Sequence, residues 1–155
     1  MLTKFNLLFP PIPWIMIKIR NITKEDLEPL AQLNAKIFKD TSKEHARWVF
    51  EHSLKNGIPG ASLIAMEGDE IVGAIFAEEK MTFYSNSANI KSIFVREEFR
   101  GKGIGESLIE KCLLALGRAG MKNVSLSVDP KNEAAVSLYE KYGFEAYRVQ
   151  YLKRI

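Results

Sequence analysis

Directly after Met16, the stretch IKIRNI alternates apolar and polar positions as a half-buried strand does. The period then changes. Thr23 opens Thr23-Lys24-Glu25-Asp26, a capping-box-like start in which its hydroxyl would satisfy an amide near Asp26. Leu27, Leu30, Ala31, Leu33, Asn34 and Ile37 continue at mostly helical spacing. Ser42 caps a second helix, KEHARWVFEHSLK, which stops near Asn56-Gly57 ahead of Pro59. Apolar runs at 62–66 and 71–77 flank Glu67-Gly68-Asp69-Glu70 and predict an antiparallel hairpin. A third run, 88–95, follows a polar loop around Tyr84-Ser85-Asn86-Ser87 and completes a meander. Ile104, Leu108, Ile109, Cys112, Leu113 and Leu116 mark the buried side of another helix, ended by Gly117 and Gly120. A strand at 124–128 is stopped by Asp129-Pro130, a helix at 133–142 ends at Gly143, and 144–154 reads as a last strand. The order is β-α-α-β-β-β-α-β-α-β, an α/β (α+β) class without internal repeats or linkers.

Composition narrows this to one domain. The chain has 155 residues, 46% of them apolar, enough for a single substantial core. Its 22 basic and 19 acidic residues are spread along the chain, unlike a nucleic-acid-binding tail, so nucleic acid is not expected as a partner. The single cysteine, Cys112, can form no internal disulfide and reads as a buried structural thiol. No apolar stretch reaches the roughly 20 residues that a membrane span needs, and no membrane partner is expected. Residues 1–15, MLTKFNLLFPPIPWI, differ from the rest: their prolines and the lack of a small-residue cleavage site argue against a signal peptide. They are expected to be an extended arm or an over-long start before a domain at 16–155, with cytoplasmic placement.

The stretch 96–119, REEFRGKGIGESLIEKCLLALGRA, carries the first chemistry: a glycine loop that leads into a helix. A helix start leaves amide N–H groups without partners and gathers partial positive charge, and glycines let an oxygen-rich ligand lie against the backbone. A phosphate is the natural guest. The spacing fits neither the dinucleotide fingerprint nor the phosphate loop of nucleotide hydrolases, since Lys102 is followed by Gly103 rather than Ser or Thr. By itself the loop is a weak signal, and a tight turn with no ligand stays open.

Arg100-Gly101-Lys102-Gly103-Ile104-Gly105 matches the Q/R-x-x-G-x-G/A motif of the GNAT superfamily of N-acetyltransferases, and NIKSIFVREEFRGKGIGESLIE resembles that family's fourth strand, pyrophosphate loop and third helix. LSVDPKNEAAVSLYEKYGF resembles its other recurrent stretch. The resemblance runs from about Met16 to the C-terminus and implies a mixed, mostly antiparallel central sheet flanked by helices, with acetyl-CoA as co-substrate and no metal. It implies that Gly101, Lys102, Gly103, Ile104, Gly105 and Glu106 hold the pyrophosphate through backbone amides, with Arg100 and Lys102 offsetting its charge. Ile93, Phe94 and Val95 would offer main-chain groups to the pantetheine arm, docked like an added strand. Asn132 matches a position that contacts the arm, although an Asn there also reads as a helix cap. Tyr139 matches the family's general-acid tyrosine, while by spacing alone it is a half-buried aromatic. The implied reaction is direct attack by a primary amine within a ternary complex, with a main-chain amide near Val95 meeting the oxyanion charge.

The acceptor is less legible. A lysine-like amine is about 0.1% neutral at pH 7, so its deprotonation accounts for roughly 4 kcal/mol that a base must help supply. Where the branch acetylating protein N-termini has a fifth-strand Glu, this chain has Ser127; Glu78 or Glu79 could act instead, or be solvated edge residues. A protein N-terminus and a small amine both remain as acceptors. Phe83, Tyr84 and the second helix are expected to border the acceptor site, with Trp48 and Phe50 as core or pocket wall. His45 and His52 lie on one helix face with nothing to complete a metal site. Many relatives pair through strands, so a homodimer is admitted by analogy. A rival reading is a non-catalytic CoA-binding or interaction domain of the same fold; another is an RNA-directed acetyltransferase, which predicts a basic face around the acceptor cleft.

Overall fold

The computed structural model describes residues 16–82 and 86–155. The expected arm at 1–15 and the pair Phe83 and Tyr84 lie outside the described residues. Strand β1 (Ile17–Asn21) leads through a 3₁₀ turn (Lys24–Asp26) into α1 (Leu27–Ile37). The expected capping box forms at Thr23, whose side chain takes the Asp26 N–H, and the Thr23 hydroxyl and N–H in turn donate to Asp26 Oδ2, at 3.0 and 2.8 Å. Arg20 adds a fork of two bonds to the same carboxylate, at 2.8 and 2.9 Å. An ionised carboxylate only accepts, so four donors gather on a buried Asp26 and hold its pKa down at about 2, chiefly through the guanidinium hydrogen bonds.

Helix α2 (Lys43–Lys55) is capped as the sequence implied, with Ser42 Oγ accepting the His45 N–H at 3.1 Å. The hairpin forms from β2 (Leu63–Glu67) and β3 (Glu70–Lys80), followed by β4 (Ser87–Val95), α3 (Ile104–Arg118) and β5 (Asn123–Leu126). The strands lie in the order β1-β2-β3-β4-β5, with antiparallel pairing from β1 to β4. Lys122 N–H donates to Asn86 O at 2.9 Å and Ser125 Oγ to Asn89 Oδ1 at 3.1 Å. These two ties advance together along both strands, so β5 runs parallel to β4 and the sheet is mixed, as expected.

One face of the sheet packs on α1 and α2, where Leu27, Leu30, Ala31 and Phe50 meet Ile64, Ala74, Phe76 and Phe94. Phe50 stacks on Phe76 with ring centroids 4.2 Å apart. Burial of each of these Leu, Ile and Phe side chains stabilises the fold by about 1.5–3 kcal/mol. The other face receives α3, whose Leu108 lies over Gly73; a Cβ built on Gly73 would stand 3.0 Å from Phe94 O and 3.5 Å from Leu108 Cδ1. Only a residue without a side chain lets β3, β4 and α3 approach this closely. Cys112 is fully buried on α3, as expected, and burial pushes its thiol pKa up to about 12.

Two sequence expectations change. Of the two alternatives for Trp48, core is excluded: it is 63% exposed, because Ala46, Phe50 and Ser53 form the buried stripe of α2 and Trp48 projects away from it, stacked between His45 and His52 at 6.1 and 5.7 Å. The last strand is also absent. Residues 126–155 form a second compact unit containing α4 (Glu133–Lys141), and no strand forms at 144–155, where Tyr147, Val149, Tyr151 and Leu152 are all exposed. Alternating side chains give a segment strand propensity, but a strand also needs a neighbouring backbone to pair with.

Candidate functional site

The end of β4 and the start of α3 meet at a loop built on Phe99. That ring is buried within a 3₁₀ turn (Glu97–Phe99), with the Arg96 guanidinium 5.5 Å and Lys102 Nζ 5.2 Å from its centroid. Beyond it Gly101 and Gly103 take positive φ, 74° and 78°, and Gly103 is the N-cap of α3. No side chain caps this helix. Its first internal bond runs from Ser107 N–H to Gly103 O at 3.0 Å, so the amides of Ile104, Gly105 and Glu106 come before the helical ladder begins. A Cβ built on Gly101 or Gly103 meets no atom within 4 Å, which leaves open space beside the backbone. Donors, helix dipole and room coincide, and this fits a phosphate group.

Arg100 does more than supply charge. Its Nε donates to Val95 O at 3.0 Å, which ties the loop to the end of β4 and leaves both Nη groups on an exposed side chain. The ladder explains why Val95 O is available. Arg96 N–H donates to Val72 O at 2.8 Å, so the facing pair Gly73 and Val95 exchanges no bond of its own. Val95 therefore turns its N–H and C=O to the outer edge of β4, and Ile93, two residues earlier, does the same. Phe94 lies between them in register with Ala74, and its main-chain groups point into the β3 ladder. Of the three residues expected to serve an extended ligand, the alternation offers two backbones, while Phe94 contributes a buried ring. β5 ends at Leu126, before the level of Ile93.

Two expected site residues belong to the second unit. Asn132 is the N-cap of α4, its Oδ1 accepting the Ala135 N–H at 3.2 Å, so the cap role is filled. Tyr139 is buried, its ring edge-on to Phe144 at 5.9 Å, and desolvation raises its pKa, which keeps the phenol protonated at neutral pH. No buried side-chain oxygen or nitrogen among the described residues lacks a partner, and no hydrogen bond is made by the Tyr139 hydroxyl, so that hydroxyl reaches the surface. Among the described residues no three metal-binding side chains converge, and no helix is long and apolar enough to cross a membrane.

Sequence reasoning missed a cluster earlier on β4. Phe76 faces Ser92 while Ala77 faces Ile90, so Lys91 is an extra residue, a β-bulge. Its Nζ lies 3.0 Å from Glu78 Oε1, and Ser53 Oγ from α2 donates to Glu78 Oε2 at 3.1 Å. The sequence offered Glu78 as one of two candidate bases or else a solvated edge acid, and it is in fact nearly buried. Its selection of Lys91 and Ser53 depends on register and helix placement, which no local pattern encodes.

The fold and the loop define an α/β protein in which a glycine-led helix start follows closely on the end of a strand. The chain belongs to the Acetyltransferase (GNAT) family, whose sequence profile matches residues 27–144. It is 32% identical over 142 residues to an uncharacterized N-acetyltransferase of Methanocaldococcus jannaschii, covering 84% of this chain and 62% of that protein. It is 27% identical over 137 residues to N-alpha-acetyltransferase 30 of Schizosaccharomyces pombe, covering 88% and 89%. Among solved structures, an aminoglycoside N-acetyltransferase in complex with CoA superposes with a TM-score of 0.74 at 22% identity, over 90% of this chain and 95% of that one. At that identity the likeness speaks for the fold.

Proposed function

We propose that this protein transfers the acetyl group of acetyl-CoA to a primary amine. The observation that carries the reading is the uncapped, glycine-led start of α3 placed directly after a strand end whose Ile93 and Val95 main-chain groups face outward. The amides of Gly101 to Glu106, with Arg100 Nη and Lys102 Nζ, bind the pyrophosphate. Ile93 and Val95 align the pantetheine amides as an added strand would be aligned. When bound, acetyl-CoA supplies an activated thioester. A main-chain N–H of β4 stabilises charge developing on the acetyl oxygen. The protonated Tyr139 hydroxyl delivers its proton to the departing sulfur.

For the acceptor, the N-alpha-acetyltransferase relative favours the α-amine of a protein N-terminus, and the aminoglycoside enzyme with the same fold favours a small amine. An α-amine, with its lower pKa, needs less help from a base than a lysine-like amine does. Thiol release from acetyl-CoA with free N-terminal peptides, their α-blocked lysine counterparts, polyamines and an aminoglycoside tests the reading. Turnover confined to free α-amines selects the N-terminal acceptor. CoA binding without turnover on any amine would replace the enzyme by a CoA-binding module.

A further inference from the structure

Glu78 lies near the end of β3 as a nearly buried acid: its side chain is 12% exposed, against 43% for its partner Lys91. Oε2 is satisfied from inside by Ser53 on α2, while Oε1 faces the rim and meets the Lys91 ammonium. The lysine is held there by the bulge, because the extra residue on β4 breaks the alternation that would otherwise fix its direction. Bulges re-aim side chains beside functional sites, and this one lies four residues before Val95, about 13 Å along the strand. An arm with about twelve chain atoms between its phosphate and its sulfur covers about four residues of extended chain. On the proposed function, the thioester therefore comes to rest at the level of the bulge. A carboxylate that already receives a primary ammonium stands there.

We propose that Glu78 is the receptor for the ammonium group of the acceptor, and that Lys91 is its displaceable internal occupant. Lys91 shows the geometry the ligand takes: a primary ammonium, approaching Oε1 from the exposed side, while Ser53 fixes the carboxylate from behind. The pair is a balanced exchange. An incoming ammonium replaces one cation by another, so the buried carboxylate never stands alone and the exposed Lys91 swings into water. The ligand class is an unhindered primary ammonium. A quaternary ammonium has no N–H to donate, and a neutral amide has no charge to offer.

The proposal rests on the acetyl-donor reading above, and the test separates the two. Full-length wild type, Lys91→Met and Glu78→Gln are compared in thermal denaturation with propylammonium chloride, with tetramethylammonium chloride as ionic control, and in thiol release with any amine that turns over. Removing Lys91 vacates the site, so propylammonium stabilises Lys91→Met by several degrees more than wild type, tetramethylammonium does neither, and the acceptor KM of Lys91→Met falls at least threefold. Glu78→Gln keeps a bond to Ser53, loses the propylammonium effect and raises the acceptor KM at least tenfold, with the acetyl-CoA KM unchanged. A purely structural ion pair gives the opposite sign for Lys91→Met: an unchanged or higher acceptor KM and no selective response to propylammonium, either of which overturns the proposal. If Glu78→Gln fails to fold, the sign of the Lys91→Met effect decides. If no amine turns over in wild type, the acceptor reading fails, and the propylammonium shift still decides whether Glu78 receives ammonium.

Discussion

Substituting Ala for Gly103 separates what the loop does for the fold from what it does for a ligand. The residue sits at φ 78° and ψ 10°, in the left-handed region, as the N-cap of α3. An L-residue pays about 1–2 kcal/mol there, and Ala returns about 0.4–1 kcal/mol by restricting the unfolded chain. Because the new methyl meets no protein atom within 4 Å, nothing else in the fold adds to the cost. The net loss is roughly 1 kcal/mol, or a fall in Tm of about 2–4 °C. Gly120, at the other end of the same helix, supplies the control: φ is 80° and its added methyl is equally unopposed. Gly103→Ala and Gly120→Ala should therefore lose similar stability by thermal denaturation. In calorimetric titration with CoA they should part, with Gly103→Ala weakened more than tenfold and Gly120→Ala within twofold of wild type. Equal CoA affinity in the two variants would refute the assignment of the glycine loop to the pyrophosphate.

Tyr139→Phe keeps the edge contact with Phe144 and removes only the surface hydroxyl, so Tm should move little while turnover falls about 10²–10⁴-fold in the thiol-release assay; a loss under threefold removes Tyr139 from the chemistry. Asp26, with a folded pKa of about 2 against an ordinary 3.8, lends stability that is complete above about pH 5 and lost as the pH falls through about 2. Screening at the 38%-exposed Arg20 reduces its worth to about 1–2 kcal/mol, the amount Asp26→Asn should cost at pH 7 but not at pH 2 in denaturant titrations. Gly73→Val places side-chain atoms against Phe94 O and Leu108, and should cost more than about 3 kcal/mol or abolish folding, read by circular dichroism.

Much of the first 125 residues was legible because their signals are local. Ser42 with Asn56-Gly57 bracketed α2, and Glu67-Gly68-Asp69-Glu70 announced the hairpin to within a residue or two. The glycine loop was equally plain as a turn into an apolar-periodic helix, while its link to a ligand came from the family resemblance rather than from the glycines. What escaped the sequence depends on neighbours distant along the chain. Trp48 and Phe50 are two residues apart on α2, and only the helical phase set by Ala46 and Ser53 tells which one is inside. The segment 144–155 carries the composition of a strand without a pairing edge. Lys91 reads as an ordinary strand lysine until the register of β3 shows that nothing stands opposite it.

The closed environment of Cys112 bears on how this protein is best assayed. Its thiol is sealed inside the α3 face, with a pKa near 12, and the chain has no other sulfhydryl. A disulfide reagent that counts liberated CoA thus meets no competing thiolate from folded protein, and the background stays flat. In the absence of substrate the same reagent becomes a clock. It can colour only when α3 lifts from the sheet, so the slow rate of its reaction would time the opening of the layer on which the glycine loop is mounted.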